Sequence, residues 1–419
     1  MGHGTGFLSG VERAEAALRD LFDPTPLQRN VYLSAYYGAD IWLKREDLSP
    51  VRSYKIRGAF NAMRKALEAD AGRRVFVCAS AGNHAQGVAF ACKHFGVNGV
   101  IFMPVTTPQQ KIGKTRQFGD GQVEIRLVGD YFDDTLEAAQ SFCAENNAVF
   151  LPPYDDADVI EGQATCALEV FRQMPEGVVP DIMVLPVGGG GLSSGSATLV
   201  GKMPGDTELR LVEPVGAPSL TRALEQGGPV TLEAVDNFVD GAAVARIGDI
   251  NFERLKHLSP DAVTRVAEDR ICATMLEFLN VEGVVLEPAG ALSIDALRDY
   301  DDLTGKTVVA VVSGGNFDFE RLPDLKERAL RWEGLKRYYI LRLPQRPGAL
   351  RDFLNLLGPD DDISRFEYLK KSARNFGSIL LGIESSARVN FADLEQRMLE
   401  GGFTFQDITD DTVITSLIV

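Results

Sequence analysis

Short runs of apolar residues alternate with longer amphipathic stretches along most of the chain. The apolar runs have the length and β-branched content of buried strands, and they lie at residues 74–78, 100–103, 123–128, 182–187, 209–212 and 307–312. Amphipathic stretches such as residues 86–95 and 132–145 lie between them and predict helices. Parallel strands need crossover connections of this kind, so the pattern predicts an open α/β architecture.

The pattern changes after about residue 330. Residues 337–343 alternate like a half-buried strand, and residues 350–357 have helical spacing with Gly358 as the expected helix end. Later predicted elements are strands at residues 363–369 and 378–383 with a turn through Asn375 and Gly377, a helix at residues 391–398 and a strand at residues 403–408. We therefore predict an α+β module at residues 331–419, after a first region at residues 1–330.

Composition and charge exclude several classes of protein. The 419 residues are 45% hydrophobic and 24% charged, which is typical of a folded protein of two or three domains. A net charge of −16 argues against nucleic-acid or anionic-membrane partners, because both require clustered positive charge. Neither a membrane-spanning run nor a secretion signal is evident, so we expect a cytoplasmic protein. Five scattered cysteines predict free thiols rather than disulfides or a zinc site.

The first of four motifs with candidate chemistry contains Lys55, flanked by Arg52 and Arg57. A lysine can bond to an aldehyde only when its amine is partly deprotonated, and nearby cations or low solvent access lower its pKa. Taken alone, however, this motif is better explained as a basic helix start.

The second motif follows a predicted strand and comprises Ser80, Ala81, Gly82, Asn83 and His84. A polar loop at this position faces the crevice where open α/β sheets bind ligands. Asn83 can donate a hydrogen bond to a phenolate-like oxygen, although an ordinary turn and helix cap explains the loop equally well. A lone histidine such as His84 is more often a structural hydrogen-bonding residue than a catalyst.

The third motif is a run of glycines after the strand that begins at residue 182, and it comprises Gly188, Gly189, Gly190 and Gly191, followed by Leu192. Their backbone N–H groups can turn toward one point, and a helix expected to begin at Ser193 would add its dipole, so the loop suits a phosphate. A nucleotide is disfavoured, because the P-loop lysine and the G-x-G-x-x-G spacing are missing.

The fourth motif places Ser313 beside Gly314, Gly315 and Asn316 at the end of a predicted strand. The serine either presents its hydroxyl group to a ring nitrogen or simply ends the strand. The glycines alone do not distinguish these interpretations.

In this order, over about residues 20–320, the motifs resemble the fold-type II (tryptophan synthase β-like) enzymes that use pyridoxal 5′-phosphate, and among them the threonine dehydratases, or threonine ammonia-lyases. The resemblance implies a catalytic region of two open α/β domains, with a mobile smaller domain at roughly residues 55–155. It implies that Lys55 is the catalytic lysine that bonds to the cofactor and that Asn83 holds the cofactor's 3′ oxygen. Residues 188–192 would hold its phosphate, Ser313 would face its pyridine nitrogen, and residues 80–84 would bind the substrate carboxylate.

The C-terminal module resembles the ACT-like regulatory domain of biosynthetic threonine dehydratases, particularly at residues 345–350 and 364–384, in a single copy. The resemblance implies conversion of L-threonine to 2-oxobutanoate and ammonia, the first step of isoleucine biosynthesis, in a homotetramer. Isoleucine would inhibit the enzyme, and valine would oppose this inhibition. The effector would bind near Arg346, Leu350 and Phe366. A dimerisation appendage without a ligand is the alternative.

Other functions stay open at this stage. A serine and threonine dehydratase of broader or catabolic role shares the motifs, and so do serine racemases, but these have a serine where this chain has Ala81, which disfavours racemisation. Related enzymes bind a divalent cation near the position of Glu213 through two acidic side chains. In this chain the second of these positions is Ser219, so we expect no metal. We interpret Glu213 as a solvated carboxylate at a strand end. A catalytically silent amino-acid sensor on the same fold is the alternative from another class.

Overall fold

A computed structural model of the chain describes residues 4–369 and 376–411. Its strands are β1 (Leu27–Arg29), β2 (Asp40–Arg45), β3 (Val75–Ala79), β4 (Asn98–Met103), β5 (Val123–Leu127), β6 (Val149–Phe150), β7 (Ile182–Pro186), β8 (Glu208–Pro214), β9 (Val263–Val266), β10 (Thr307–Val312), β11 (Lys336–Pro344), β12 (Asp361–Leu369), β13 (Phe376–Ser385) and β14 (Thr404–Asp407). Its helices are α1 (Gly4–Leu18), α2 (Val31–Tyr37), α3 (Lys55–Ala69), α4 (Asn83–Phe95), α5 (Gln109–Gly119), α6 (Phe132–Asn146), α7 (Ala157–Gln173), α8 (Gly191–Val200), α9 (Ser219–Gln226), α10 (Asp249–Leu255), α11 (Glu268–Val281), α12 (Pro288–Asp295), α13 (Leu322–Trp332), α14 (Ala349–Leu354) and α15 (Val389–Glu400). The described residues divide into two compact units, one within Met1–Glu268 and Phe278–Asp318 and the other within Asp269–Glu277 and Phe319–Val419.

Two sheets organise the first unit. The larger has the strand order β1-β2-β10-β7-β8-β9, in which β1 is antiparallel to β2 and the other neighbours are parallel. The smaller has the order β5-β4-β3-β6 and is parallel throughout. This is the open α/β architecture that the sequence predicts, and the smaller sheet lies within the range predicted for the small domain. The mobility of that domain stays a prediction.

Burial explains why the strands read as continuous apolar runs. Residues 308–312 of β10 are all 0% exposed, because β10 lies between β2 and β7 in the middle of the sheet with both faces covered. All six predicted strands of the first region are present, and β10 has the predicted bounds. β2 was not predicted, because it ends in Lys44 and Arg45, charged residues that propensity assigns to the surface but that are buried here.

The second unit contains an antiparallel sheet in the order β12-β13-β11-β14. Alternate residues of β11, including Tyr339 and Leu341, join Phe353 of α14 and Phe391 of α15 in one core, which confirms the predicted α+β module. Two details differ from the prediction. The helix α14 ends at Leu354, before the expected stop, since the next N–H groups, those of Leu356 and Leu357, bond three residues back to Phe353 and Leu354 and not four.

The predicted turn before β13 is the second difference. Gly377 lies within β13, paired with Leu343, and not in a turn. A Cβ atom at Gly377 would lie 2.5 Å from the ring of Tyr368, so the glycine makes room for a cross-strand aromatic side chain. The other residue assigned to that turn, Asn375, lies outside the described residues.

Two further properties bear on the predicted class of protein. Within residues 4–369 and 376–411, no helix has the length and apolar character that crossing a membrane requires. The five cysteines are free thiols, and Cys143 is half-buried where the others are buried.

Candidate active site

Lys55 begins α3 directly after a stretch that contacts the end of β10. The N–H of Tyr54 donates to the carbonyl of Ser313 at 3.1 Å, so the first and fourth sequence motifs are joined at the base of the lysine. The Lys55 Nζ atom donates to the carbonyl oxygen of Pro153 at 2.9 Å. The amine is therefore held by an acceptor that carries no charge.

Burial lowers the pKa of the Lys55 amine to about 8, while the charge of Glu287 acts in the opposite direction. The sequence suggested that neighbouring arginines lower this pKa. Arg57 does not serve that purpose, because its guanidinium group forms buried ion pairs with Glu46 and Glu169, each at 2.7 Å. Desolvation, rather than a nearby free cation, thus makes the lysine partly neutral near physiological pH.

The ion pairs of Arg57 belong to a buried charge network that fastens α3 to β2 and α7. Lys44 of β2 donates to Glu169 of α7 at 2.6 Å and to the carbonyl of Thr25 at 2.6 Å. Arg57, Lys44, Glu46 and Glu169 are all at most 1% exposed. Because each charge has a partner of opposite sign, the network fixes the start of α3, and with it the position of Lys55.

Asn83 begins α4, and its carboxamide is held at both ends. Its Nδ2 donates to Glu287 Oε1 at 2.7 Å, and its Oδ1 accepts from Asn316 Nδ2 at 2.8 Å. Burial and the charge of Asp240 raise the pKa of Glu287 to about 7. Glu287 was missed by the sequence analysis, although an acid in the apolar stretch of residues 284–292, directly before Pro288, could have marked it.

The loop at residues 80–84 connects β3 to α4. The Ser80 hydroxyl accepts from the N–H of Gly82 at 3.2 Å, and Ala81 is half-buried. The His84 Nε2 atom bonds the carbonyl of Leu151 at 2.9 Å, so this nitrogen carries the proton. Burial and the Lys55 charge lower the pKa of His84 to about 3, which keeps the ring neutral. Its side chain therefore supports the fold, and a contact of this residue with substrate would use its backbone N–H.

The glycine loop joins β7 to α8, which begins at Gly191, two residues earlier than expected. Gly190 has a φ of +93°, a conformation that side chains rarely adopt. A Cβ atom at Gly189 would lie 2.2 Å from the ring of Tyr154, and one at Gly188 would lie 3.0 Å from Ala242. The first three N–H groups of α8, those of Gly191, Leu192 and Ser193, have no partner within the helix, because the first helical bond runs from the N–H of Ser194 to the carbonyl of Gly190. This cradle of bare backbone at a helix start fits a phosphate group.

A segment at residues 151–155 connects these parts, and the sequence analysis did not identify it. Besides the bonds to His84 and Lys55, the carbonyl of Tyr154 accepts from Asn251 Nδ2 at 3.2 Å, and the same Nδ2 donates to the carbonyl of Gly189 at 2.8 Å. Three of the four motifs are therefore linked through one short segment. The sequence pattern of this segment gives little indication of its role, because the segment acts mainly through backbone carbonyls, which any residue supplies.

Ser313 lies at the end of β10 and is 2% exposed. Its Oγ donates to the carbonyl of Ala289 at 3.1 Å, which leaves the oxygen's lone pairs as acceptors. The loops after β3, β7 and β10 thus carry the second, third and fourth motifs, all at carboxyl ends of parallel strands. A lysine of lowered pKa, an amide donor, a phosphate cradle and an uncharged hydroxyl group form a set that fits pyridoxal 5′-phosphate.

The structure corrects the interpretation of Glu213 as a solvated carboxylate. Glu213 is 0% exposed and accepts from the N–H groups of Leu220 and Thr221 at 2.6 and 3.0 Å. It also accepts from the Thr221 hydroxyl at 2.8 Å, so it serves as the N-terminal cap of α9. Within the described residues, no three His, Cys, Asp or Glu side chains come together in a way that could hold a metal ion.

The residues predicted to bind an effector lie on the second unit. Arg346 precedes α14 and pairs with Asp352 at 2.6 Å. Leu350 of α14 is 40% exposed, and Phe366 of the edge strand β12 is 37% exposed. The two apolar side chains are accessible, and their role as effector contacts stays a prediction.

Comparison with known proteins adds independent information. Residues 18–314 match the family described as pyridoxal-phosphate dependent enzyme, and residues 327–418 match the C-terminal regulatory domain of threonine dehydratase. Together these two matches cover most of the chain.

Two relatives are similar over nearly their full length. The chain is 46% identical over 411 residues to the L-threonine dehydratase biosynthetic IlvA of Bacillus subtilis, covering 98% of this chain and 96% of the relative. It is 42% identical over 408 residues to the protein of the same name from Halalkalibacterium halodurans, covering 97% of each.

Solved structures of similar proteins give the same picture. The processed form of threonine deaminase isoform 2 from Solanum lycopersicum is 35% identical, with a TM-score of 0.72 over 78% of this chain and 89% of that chain. Maize serine racemase is 26% identical, with a TM-score of 0.69 over 78% of this chain and 98% of that chain. The predicted fold class is thereby confirmed.

Proposed function

The chain belongs to the pyridoxal-phosphate-dependent threonine dehydratases that carry a C-terminal regulatory domain, and from this premise we propose that it converts L-threonine to 2-oxobutanoate and ammonia under feedback control by isoleucine. The observation that carries the proposal is the set of contacts joining Lys55, Asn83, the glycine loop and Ser313 at the carboxyl ends of the strands. The reaction is the first step of isoleucine biosynthesis, which accords with the biosynthetic naming of the relatives.

Pyridoxal 5′-phosphate, when bound, withdraws electrons from the Cα atom of an amino acid and thereby acidifies its proton. Lys55 supplies the matching base. With a pKa of about 8, about a tenth of its amine is neutral at pH 7, far more than for an ordinary lysine. The Pro153 carbonyl orients the amine, and the buried ion pairs of Arg57 hold the helix start in place.

Two other groups set the outcome of the reaction. The hydroxyl of Ser313 would lie at the cofactor's ring nitrogen, where its hydrogen can turn from the Ala289 carbonyl to the lone pair of that nitrogen. Because the hydroxyl is uncharged, it does not keep the nitrogen protonated as a carboxylate would. Ala81 offers no hydroxyl group on the face where a serine racemase would need a base. Both features favour loss of the β-hydroxyl group over transamination or racemisation.

The substrate carboxylate would bind at the loop of residues 80–84. These residues run into the first turn of α4, which begins at Asn83, and helix N-terminal N–H groups attract anions. The charge on the substrate is met by backbone donors and not by His84, whose ring is buried and neutral.

Regulation is proposed to act through the second unit. Isoleucine would bind near Arg346, Leu350 and Phe366 and stabilise a less active quaternary state, and valine would oppose it. A homotetramer in the cytoplasm is the expected assembly and location, and light scattering that shows only monomer would contradict the assembly.

The test is release of 2-oxoacid from L-threonine, with and without L-isoleucine, by wild type and Lys55→Ala. We expect activity that Lys55→Ala abolishes and isoleucine suppresses. The matched control is Lys65→Ala, on the same helix but partly exposed in ion pairs with Asp158 and Glu161, which should keep activity.

Other results of this assay would favour the alternative functions. Activity that ignores isoleucine would retain the dehydratase and remove the feedback, and equal turnover of L-serine would indicate a broader or catabolic enzyme. No activity in wild-type protein loaded with cofactor would instead support an amino-acid sensor.

A further inference from the structure

The carboxamide of Asn83 has two ends of nearly the same shape and opposite function. If its NH₂ group faces the cofactor, it donates a hydrogen bond to the 3′ oxygen, and if its oxygen faces the cofactor, two acceptors oppose each other. The proposed function requires the first orientation. Something in the fold must therefore select it.

The selection begins at a backbone carbonyl. Asn316 Nδ2 donates to the carbonyl oxygen of Val51 at 2.8 Å, and a carbonyl oxygen can only accept. This bond fixes the NH₂ end of Asn316, and the same Nδ2 donates to Asn83 Oδ1 at 2.8 Å. The oxygen of Asn83 is thereby occupied, and its NH₂ group is turned to the other side.

Glu287 holds that other side. Its Oε1 accepts one hydrogen of Asn83 Nδ2 at 2.7 Å, and its Oε2 accepts from the N–H of Asn316 at 3.3 Å. An NH₂ group has two hydrogens, so one stays available for a ligand. Glu287 is 5% exposed, and its position is set by packing as well as by these bonds.

Gly314, two residues before Asn316, belongs to the same arrangement. A Cβ atom at Gly314 would lie 2.2 Å from Glu287 Oε1 and 3.2 Å from the carbonyl oxygen of Arg52. Gly314 therefore leaves space for the carboxylate, so this part of the fourth motif has a function beyond ending β10.

We propose that Asn316 and Glu287 are positioning residues that hold the carboxamide of Asn83 with its NH₂ group toward the 3′ oxygen of pyridoxal 5′-phosphate. They act through Asn83 and need not touch the cofactor. The inference rests on the proposed function, in which Asn83 contacts that oxygen.

The decisive experiment is a double-mutant cycle with pyridoxal 5′-phosphate as the probe. Asn316→Asp places an acceptor-only carboxylate against the oxygens of Val51 and Asn83, so the oxygen of Asn83 loses its donor and meets a repelling charge, and the carboxamide is no longer held in the required orientation. We expect the apparent dissociation constant of the cofactor to rise about tenfold, the factor for one hydrogen bond of ordinary strength. The ratio of the long- to the short-wavelength absorbance band of bound cofactor should also change, because that ratio reports hydrogen bonding at the 3′ oxygen.

In an Asn83→Ala background, Asn316→Asp should change the dissociation constant less than about twofold, because the group it positions is gone. An equal effect in both backgrounds would overturn the proposal and assign Asn316 a merely structural role. If Asn316→Asp does not fold, Asn316→Ala serves in the same cycle, with a smaller expected rise of about threefold.

Two further measurements complete the design. Asn61→Asp, the same substitution at a buried asparagine bonded to the carbonyl of Asp158, should leave the absorbance ratio unchanged. Wild-type protein that shows no Lys55-dependent absorbance with the cofactor would refute the proposed function itself. Normal wild-type absorbance without coupling in the cycle would refute only the positioning role.

Discussion

Gly189 lies so close to the ring of Tyr154 that the smallest side chain would overlap it. Gly189→Ala therefore displaces either the ring or the loop, and the N–H groups of the loop no longer converge on a phosphate. We expect the dissociation constant of pyridoxal 5′-phosphate to rise at least about tenfold, measured by absorbance titration.

The matched control for Gly189→Ala is Gly113→Ala. Gly113 lies within α5, and a Cβ atom there would have no neighbour within 4 Å among the described residues outside its own helix turn, so alanine fits and favours the helix. Equal cofactor affinity of wild type and Gly189→Ala would contradict the assignment of this loop as the phosphate site.

The lowered pKa of Lys55 predicts how cofactor incorporation depends on pH. Only the neutral amine attacks the aldehyde, and burial brings its pKa down from 10.5 to about 8. The rate of incorporation into cofactor-free protein should rise with pH and level off above about pH 8, as followed by stopped-flow absorbance. A rate that keeps rising to about pH 10 would mean an ordinary lysine. Lys55→Ala supplies the baseline.

Single residues also show where sequence analysis reaches its limit. Lys55, Asn83 and Ser313 could be selected because each stands in a motif at a predicted strand or helix boundary. Glu287 could not be matched to Asn83, since the two lie 204 positions apart and only the fold brings them together. The direction of the Arg57 side chain, away from Lys55, likewise depends on partners from β2 and α7.

At the level of elements, the buried charge network decides how α3, α7 and β2 fit together. Burial alone would raise the pKa of Glu169, but the charges and hydrogen bonds of Arg57 and Lys44 outweigh it and lower this pKa from 4.5 to about 2. A folded-state pKa below the unfolded value stabilises the fold above about pH 4.5, and this contribution is lost as pH falls toward 2.

Glu169→Gln should accordingly lower the free energy of unfolding by about 3 kcal/mol at neutral pH, because two buried cations lose a charged partner. The deficit relative to wild type should shrink below about pH 4 in urea unfolding. The pair of half-buried Arg64 and exposed Glu68 on α3 provides the control, and Glu68→Gln should cost less than about 1 kcal/mol. A deficit that is constant with pH would contradict the ionic origin.

Elements differed in how well their patterns predicted them. β10 and β7 were evident as unbroken apolar runs, whereas β2 was obscured by its buried charges. In the second unit, α14 is shorter than its apolar spacing indicated, because residues 355–357 continue the spacing in a turn after the helix ends. Periodicity reports which side chains face the core, and it does not report where hydrogen bonding stops.

For the whole molecule, the second unit offers a test of regulation separate from catalysis. Phe366→Ala should raise the isoleucine concentration for half-inhibition at least about fivefold, because it removes an exposed apolar contact of the proposed effector site. The assay is 2-oxoacid release over a range of isoleucine concentrations. Leu399→Ala, which truncates another exposed apolar residue, on α15, should leave that concentration unchanged. Equal shifts in both variants would argue against a site at Phe366.

The buried charges around Arg57 also constrain the order in which a growing chain can fold. Lys44, Glu46 and Arg57 leave the ribosome early, whereas Glu169 follows Arg57 by 112 residues. A cation buried without its full set of partners costs several kcal/mol, so α3 cannot settle beside β2 until α7 has been synthesised. We therefore expect the nascent N-terminal third to stay open during translation at least until α7 emerges, and β2 to enter its sheet only after its neighbour β10 has been synthesised.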